Sequence, residues 1–295
     1  MSKKVYIIVG PTAVGKTTFA ISLAQHLQTE IISADARQCF QELNIGVARP
    51  SPEELNQVPH HFIASHSIHD TVNAAVFEKY TIKKVDELFQ KKDAVVMVGG
   101  TGLYIKAFCD GLDDIPAIDE NIRKAIQIKY AQQGLEWLQY EIAQKDPFYW
   151  EQCEQQNPQR LMRALEVKTG TGNSILLYQQ QNKVKRPFEI VLIGLQMDRG
   201  LLNDRINQRV LKMVDEGLEN EVKNLVSLQH LNALQTVGYQ EWFPYFEQKV
   251  TFDKVVESIQ QNTRHYAKRQ MTWFQKVENI KWYDALTVFS AHIKF

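Results

Sequence analysis

The residues with the clearest chemical potential follow the first apolar run of the chain. Val5–Val9 leads directly into Gly10, Pro11, Thr12, Ala13, Val14, Gly15, Lys16 and Thr17. This is the pattern GxxxxGK(S/T), in which glycines let backbone N–H groups surround phosphate oxygens at a helix N-terminus. Lys16 can reach the outermost phosphates, and the Thr17 hydroxyl can ligate Mg²⁺. The loop predicts a di- or triphosphate with Mg²⁺ and leaves open what the phosphates carry.

One acidic residue lies at a predicted strand end close to this loop. Asp35 follows the apolar stretch Glu30–Ser33, and the carboxyl edge of an open α/β sheet is where ligands bind. ATPases and GTPases normally have a further acid after another buried strand, but Ala94–Val98 runs into Gly99, Gly100 and Thr101. Asp35 is therefore a candidate metal ligand, general base or turn cap, and the residues alone leave these roles open.

The elements that must position these residues alternate in the first third of the chain. The predicted strands are Val5–Val9, Glu30–Ser33 and Ala94–Val98, the predicted helices are Thr18–Leu27 and Asn73–Gln90, and 36–66 is predicted to be irregular. Strands that alternate with helices indicate a parallel sheet with helices on both faces. Such a sheet brings the phosphate loop, Asp35 and Thr101 to one edge.

The pattern changes after about residue 113. Only helical segments are predicted from there to residue 186, and an apolar strand, Phe188–Gln196, then follows. A helix over Asp253–Val277 and a strand over Ile280–Tyr283 complete the chain. A helical block between two strands of one sheet indicates an inserted domain. We therefore predict a catalytic core over 1–112 and 187–295 and a helical insertion over 113–186.

Charge and composition narrow the function classes. Lys+Arg and Asp+Glu are balanced at 34 each, so the net charge does not indicate a nucleic-acid partner. Two basic clusters could be solvated helix faces, or phosphate contacts if both flank one cleft. The first cluster comprises Arg160, Arg163, Lys168, Lys183, Lys185 and Arg186. The second comprises Arg264, Lys268 and Arg269.

The cysteine content and the hydropathy of the chain indicate in which cellular compartment to expect the protein. Three cysteines without metal-ligand spacing are typical of a reducing cytoplasm and argue against structural zinc. We find no signal peptide and no apolar run of membrane-spanning length. We therefore expect a cytoplasmic monomer that does not bind a membrane.

A series of motifs carries a specific resemblance. In order, they are Asp35–Gln38, Asn44–Pro50, Val98–Tyr104, Asn157–Glu166, Arg205 with Arg209, Val237–Tyr239 and Ala267–Trp273. In this colinear series the chain resembles the tRNA dimethylallyltransferases, the bacterial tRNA isopentenyltransferases, over nearly its whole length. The departures are modest: Ala36, Phe40, Val47 and Arg49 replace the usual Ser, Tyr, Thr and Lys, and Gln240 replaces a frequent Arg or Lys.

The resemblance implies both a fold and a reaction. The fold is a P-loop NTPase-like parallel sheet with helices on both faces and an inserted all-helical tRNA-binding domain. The reaction transfers a dimethylallyl group from dimethylallyl diphosphate to the exocyclic N6 of the adenosine 3′-adjacent to the anticodon, in tRNAs reading codons that start with U. An adenine stacked in the anticodon loop must be flipped out to react.

The resemblance also implies roles for individual residues. Gly10–Thr17 would hold the diphosphate with Mg²⁺ on Thr17, and Lys16 and Arg209 would stabilise the leaving group, with Arg205 in support. Asp35 is expected to be the general base, and the Thr101 hydroxyl to orient the substrate or cap the next helix.

Contacts with the tRNA anticodon stem-loop are expected at two places in the chain. The first set, at the flipped base, is Asp35, Ala36, Arg37, Gln38 and Thr101. The second set, in the insertion, is Arg123, Gln159, Arg160, Leu161, Met162 and Arg163. For Arg123, local pairing with Glu120 is an equal alternative.

Three rival functions remain at this point. A P-loop kinase of a nucleoside or small alcohol could use Asp35 as its base, although the missing acidic strand end and the basic insertion count against it. A prenyltransferase of free adenylates is a nearer alternative, and the insertion and basic clusters favour tRNA over it. A non-catalytic RNA-binding module is disfavoured by the intact loop and Asp35.

Overall fold

The computed structural model describes residues 3–179 and 183–288. Residues 180–182, in the predicted insertion, lie outside the described residues. The chain divides into two compact units, of which one comprises Met1–Cys109 and Lys185–Phe295 and the other Asp110–Val184. We refer to them as the core unit and the helical unit.

A parallel sheet is the centre of the core unit. Its strands are β1 (Lys4–Val9), β2 (Ile31–Ser33), β3 (His60–His61), β4 (Ala94–Val98), β5 (Glu189–Gln196) and β6 (Lys281–Asp284). Their order across the six-stranded sheet is β3-β2-β4-β1-β5-β6, and every neighbouring pair is parallel. The loops that follow β1, β2 and β4 therefore leave the same edge. The predicted α/β fold class is confirmed.

Helices account for most of the remaining described chain. In order they are α1 (Lys16–His26), α2 (Pro52–Gln57), α3 (Ala74–Phe89), α4 (Gly102–Asp110), α5 (Glu120–Lys145), α6 (Pro147–Trp150), α7 (Pro158–Thr171), α8 (Arg199–Asp215), α9 (Leu218–Lys223), α10 (Phe243–Phe246) and α11 (Phe252–Phe274). Along β1, Val5, Ile7 and Val9 belong to one hydrophobic cluster, whereas Tyr6 and Ile8 belong to another. The two clusters cover opposite faces of the sheet, which explains the uninterrupted apolar run of β1.

The helical unit has its own hydrophobic core. Leu138 and Ile142 of α5 and Leu161 and Leu165 of α7 are buried in it. Gly134, with φ of 75°, interrupts α5, between the helical segments Asn121–Gln133 and Leu135–Lys145 that the sequence predicts. No strand occurs in the described residues between 110 and 184.

The prediction that 36–66 is irregular is wrong at two places. α2 begins at a capping box in which the Ser51 hydroxyl and the Glu54 carboxylate each accept a backbone N–H of the other residue. β3 pairs His60 and His61 with Ile31 and Ile32 of β2. This strand has only two residues, both histidines, so it has no apolar run to identify it.

Gly99 lies where the ends of β2 and β4 approach each other closely. A Cβ at Gly99 would overlap the backbone carbonyl of Ala34, whose N–H donates to the Val98 carbonyl at 2.7 Å. Because the obstacle is backbone, we expect Gly99→Ala to lower the free energy of unfolding by about 1–3 kcal/mol. Urea denaturation measures the change.

Gly200→Ala is the matched control, since the nearest atom to a Cβ there is a side-chain oxygen of Asp198 at 3.0 Å, and no backbone atom obstructs it. This variant should unfold within about 0.5 kcal/mol of the native protein. Equal midpoints for Gly99→Ala and the native protein would show that the two strand ends are not rigidly packed.

Candidate active site

The phosphate loop, Gly10–Thr17, connects β1 to α1. Gly10 has φ of 142°, and a Cβ there would overlap the Leu195 carbonyl of the neighbouring β5. Gly15, with φ of 104°, precedes α1, and no side chain of the described residues caps this helix. The first N–H groups of α1 therefore remain available to an anion at the positive end of the helix dipole.

A cavity of about 570 Å³ opens beside this loop. The loops after β1, β2 and β4 form part of its wall, and residues of α1, α2, α8, α11 and the β3 region also line it. Lys16, Thr17, Asp35, Arg209 and Gln270 all line it. Residues that lie far apart in the sequence therefore meet at the edge of the sheet that the fold predicts.

Two cations occupy the phosphate-loop end of the cavity. The Lys16 ammonium donates to the Pro11 carbonyl at 2.8 Å, and Arg209 Nη1 donates to Thr12 Oγ1 at 3.2 Å. Burial and the nearby Arg209 charge lower the pKa of Lys16 to about 7, against an opposing effect of Asp35. Burial also lowers the pKa of Arg209, against an opposing effect of Glu54. This end is arranged to receive an anion.

Asp35 caps a turn with one carboxylate oxygen and leaves the other without a hydrogen bond among the described residues. Its Oδ1 accepts the backbone N–H groups of Arg37 at 2.8 Å and Gln38 at 3.2 Å. Its Oδ2 makes no hydrogen bond within the described part of the chain, and the residue lines the cavity. The cap holds the carboxylate in place, and Oδ2 can accept a proton or a hydrogen bond from a ligand.

Thr101 supports Asp35 from the neighbouring loop. Its hydroxyl oxygen accepts the Ala36 N–H at 3.0 Å and shares a hydrogen bond with the Tyr266 side chain. The Thr101 carbonyl, rather than its hydroxyl, accepts the Tyr104 N–H in the first turn of α4.

Only some of the residues predicted to contact the flipped base line the cavity. Among the described residues, Asp35 and Gln38 line the cavity, whereas Ala36, Arg37 and Thr101 do not. Gln38 Nε2 donates to the Val47 and Ala48 carbonyls, and Arg37 Nη1 donates to Asn232 Oδ1 at 3.3 Å. The backbone around Asp35 is thus tied to two other loops.

Three residues without a predicted role hold this site together. Glu221 accepts the N–H groups of Ile45 at 2.8 Å and Gly46 at 3.0 Å, and the Tyr239 hydroxyl at 2.5 Å. Tyr266 and Gln270 extend from α11 toward the cavity. Gln270 lies within the Ala267–Trp273 motif, which is a signal for it, but no motif includes Glu221.

The predicted tRNA contacts of the insertion lie in the helical unit. Arg123 Nε and Arg163 Nη1 lie 3.3 and 3.2 Å from the buried Glu166 carboxylate. Arg123 therefore pairs with Glu166 rather than with Glu120, which lies 3.5 Å from Lys124. The sequence does not reveal this pairing because Glu166 lies on another helix.

The other predicted contacts in α7 differ in exposure. Gln159 and Arg160 are exposed, and Arg160 pairs with Glu154 at 3.0 Å. The Leu161 and Met162 side chains are buried in the core of the helical unit, so a side-chain contact with RNA would require that core to open. The tRNA roles of these residues stay predictions.

The described residues contain neither a ready-made cluster of metal ligands nor a membrane-spanning helix. No group of three or more His, Cys, Asp or Glu side chains is arranged to hold a metal ion. Thr17 lines the cavity and supplies one hydroxyl oxygen. Among the helices described, none is both long and apolar enough to cross a membrane.

Relatives of known identity match almost the whole chain. The tRNA dimethylallyltransferase of Christiangramia forsetii is 45% identical over 284 residues, which cover 96% of this chain and 94% of that protein. The enzyme of the same name from Flavobacterium johnsoniae is 44% identical over 291 residues, covering 97% and 94%.

Solved structures agree with these relatives. A tRNA isopentenylpyrophosphate transferase from Bacillus halodurans is 35% identical, with a TM-score of 0.70, over 96% of this chain and 90% of its own. A eukaryotic dimethylallyltransferase acting on tRNA shares the fold, with a TM-score of 0.82 at 23% identity, over 99% of this chain and 77% of its own. The model of the IPP transferase family matches residues 38–277. The resemblance of the motifs is therefore confirmed, and the chain belongs to the IPP transferase family together with the tRNA dimethylallyltransferases.

Proposed function

We propose that this protein prenylates tRNA with dimethylallyl diphosphate as the donor. The acceptor is the exocyclic N6 of the adenosine 3′-adjacent to the anticodon, in tRNAs reading codons that start with U. Family membership supports tRNA as the substrate. The observation that carries the donor assignment is a single cavity with Lys16 and Arg209 at one end and Asp35 in its wall.

The cationic end would stabilise the leaving group. As the carbon–oxygen bond breaks, its electron pair moves to the bridging oxygen of the diphosphate, and the allylic carbon gains cationic character. Lys16, Arg209 and the first N–H groups of α1 would stabilise the charge that develops on the diphosphate. Mg²⁺ fits this site if the Thr17 hydroxyl and diphosphate oxygens ligate it, and it would supply further charge neutralisation.

Asp35 would act as the general base for the acceptor adenosine. The exocyclic amine of adenine is neutral and weakly basic, so its N–H proton must leave as the new carbon–nitrogen bond forms. Asp35 Oδ2 is free to accept that proton, while Oδ1 remains bonded to the amides of Arg37 and Gln38. Thr101 would orient this turn through the Ala36 N–H.

The remaining assignments rest on simpler observations. We propose a monomer, because every described residue that lines the cavity belongs to the core unit of one chain. We propose a cytoplasmic location, because Cys39, Cys109 and Cys153 form no disulfide in the described part of the chain, as is typical of a reducing compartment. The relatives favour neither a small-molecule kinase nor a prenyltransferase of free adenylates.

Transfer of label tests the proposed function. Incubation with dimethylallyl diphosphate labelled in the prenyl group, Mg²⁺ and undermodified tRNA should move label into the tRNA and release diphosphate. Nuclease digestion and mass spectrometry should find the label on the adenosine next to the anticodon. Label in free AMP only, or consumption of ATP without prenyl transfer, would contradict the proposal.

Asp35→Asn separates catalysis from turn capping, because the amide oxygen can still accept the two N–H groups. We expect the transfer rate to fall by about 10²-fold or more, since general-base catalysis is typically worth 10²–10⁴-fold. Affinity for tRNA should remain within a few-fold, and Asp35→Ala should also abolish transfer.

The control for that substitution is Asp198→Asn, which changes a carboxylate that caps α8 and does not line the cavity. This variant should retain transfer. If Asp35→Asn lost tRNA binding, or kept its full rate, Asp35 would be structural.

The lowered pKa of Lys16 predicts how donor binding depends on pH. With a pKa of about 7 in the free protein, Lys16 is charged below pH 7 and loses its proton as the pH rises. Bound diphosphate favours the charged form, so affinity should be higher at pH 7 than at pH 9 and fall by up to about tenfold per unit above pH 7.5. Calorimetry with dimethylallyl diphosphate in metal-free buffer measures this affinity at each pH.

Lys16→Arg keeps its charge at every pH used and should bind with a flatter profile. A flat profile for the native protein between pH 7.5 and 9 would mean that Lys16 remains charged in the free cavity.

A further inference from the structure

Gln270 is a buried polar side chain of α11, with an exposed fraction of 5%. Its amide oxygen accepts the Thr12 N–H at 2.8 Å, and its amide nitrogen donates to the Gly100 carbonyl at 3.0 Å. Both ends of one amide are therefore bonded to backbone groups of two loops that are far apart in sequence. Loss of either bond would leave a backbone group of low exposure unpaired.

The two loops carry opposite halves of the proposed reaction. Thr12 belongs to the phosphate loop, and its hydroxyl accepts the Arg209 hydrogen bond. Gly100 directly precedes Thr101, whose hydroxyl accepts the N–H of Ala36, the residue after Asp35. One side chain of α11 thus links the leaving-group end of the cavity to the acceptor end.

α11 also packs directly against the turn that follows β4. A Cβ at Gly100 would overlap Gln270 Nε2, and a Cβ at Gly102 would overlap the Trp273 indole. One helical turn before Gln270, the Tyr266 side chain shares a hydrogen bond with Thr101. Tyr266 and Gln270, four residues apart, lie on the same face of the helix.

We propose that Gln270 is a positioning residue for prenyl transfer, which fixes the separation between the diphosphate-holding loop and the loop that supports Asp35. This inference rests on the proposed function. The Thr12 N–H is already engaged by Gln270, so it holds the loop in place instead of binding the diphosphate. A positioning role predicts a slower chemical step with little change in substrate binding, because a displacement of about 1 Å between reacting groups can cost 10²-fold in rate.

Two substitutions disturb this link in different ways. Gln270→Glu keeps an oxygen for the Thr12 N–H but turns a second oxygen toward the Gly100 carbonyl. Gln270→Met has a similar shape and removes both hydrogen bonds. Gly100→Ala disturbs the contact from the opposite side, since its Cβ would displace the amide.

Gln260→Met is the matched control on the same helix. Gln260 is partly buried and donates to the Asn207 carbonyl at 3.4 Å, and it does not line the cavity. The Gln260→Met variant should transfer the prenyl group at the native rate, with the native KM for each substrate.

The experiment measures single-turnover rates, KM for donor and tRNA, and thermal midpoints of all five proteins. We expect the rate to fall about tenfold or more in the Gln270 variants and in Gly100→Ala, with each KM within about threefold and folded protein at the assay temperature. Native rates in the Gln270 variants that remain folded would overturn the positioning role alone. Absence of transfer by the native protein would overturn the proposed function, and this inference with it.

Discussion

Lys16 and Arg209 are held within one cavity, and neither forms a salt bridge to a carboxylate in the described part of the chain. These two half-buried cations repel each other, and that repulsion contributes to the lowered pKa of Lys16. The arrangement is stable because backbone and hydroxyl oxygens accept their hydrogen bonds, and because Asp35 and Glu54 act at longer range. An anion of high charge is the ligand that such a site favours, and the proposed diphosphate has that property.

The parallel sheet is what allows this site to form. β1 lies between β4 and β5, and β2 lies beside β4, so three loops of the core unit meet at one edge. Gly10 and Gly99 have no side chains at two close backbone approaches, to β5 and to the residue after β2. α8 then contributes Arg209, and α11 contributes Tyr266 and Gln270. The phosphate loop is common to many functions, whereas the pairing with Asp35 suits transfer to a neutral amine.

Local patterns predicted much of this molecule from the sequence. The runs in β1, β4 and β5 are apolar because both sheet faces are covered, so they were recognised to within a residue or two. The phosphate loop and Asp35 carry their signal in a few adjacent residues. β3 was missed because its two histidines carry no such signal. The bonds of Glu221, Gln270 and Glu166 join residues far apart in sequence, which no local pattern reveals.

The central claim is that the phosphate loop holds a departing diphosphate rather than serving phosphoryl transfer. Dimethylallyl diphosphate carrying ¹⁸O at the oxygen that bridges carbon and phosphorus tests it directly, when the products of a turnover with tRNA are examined by mass spectrometry. Cleavage of the carbon–oxygen bond leaves the ¹⁸O in the released diphosphate and none in the prenylated tRNA, which is the predicted result. ¹⁸O in dimethylallyl alcohol, with the diphosphoryl group transferred to another acceptor, would show phosphorus–oxygen cleavage and contradict the account.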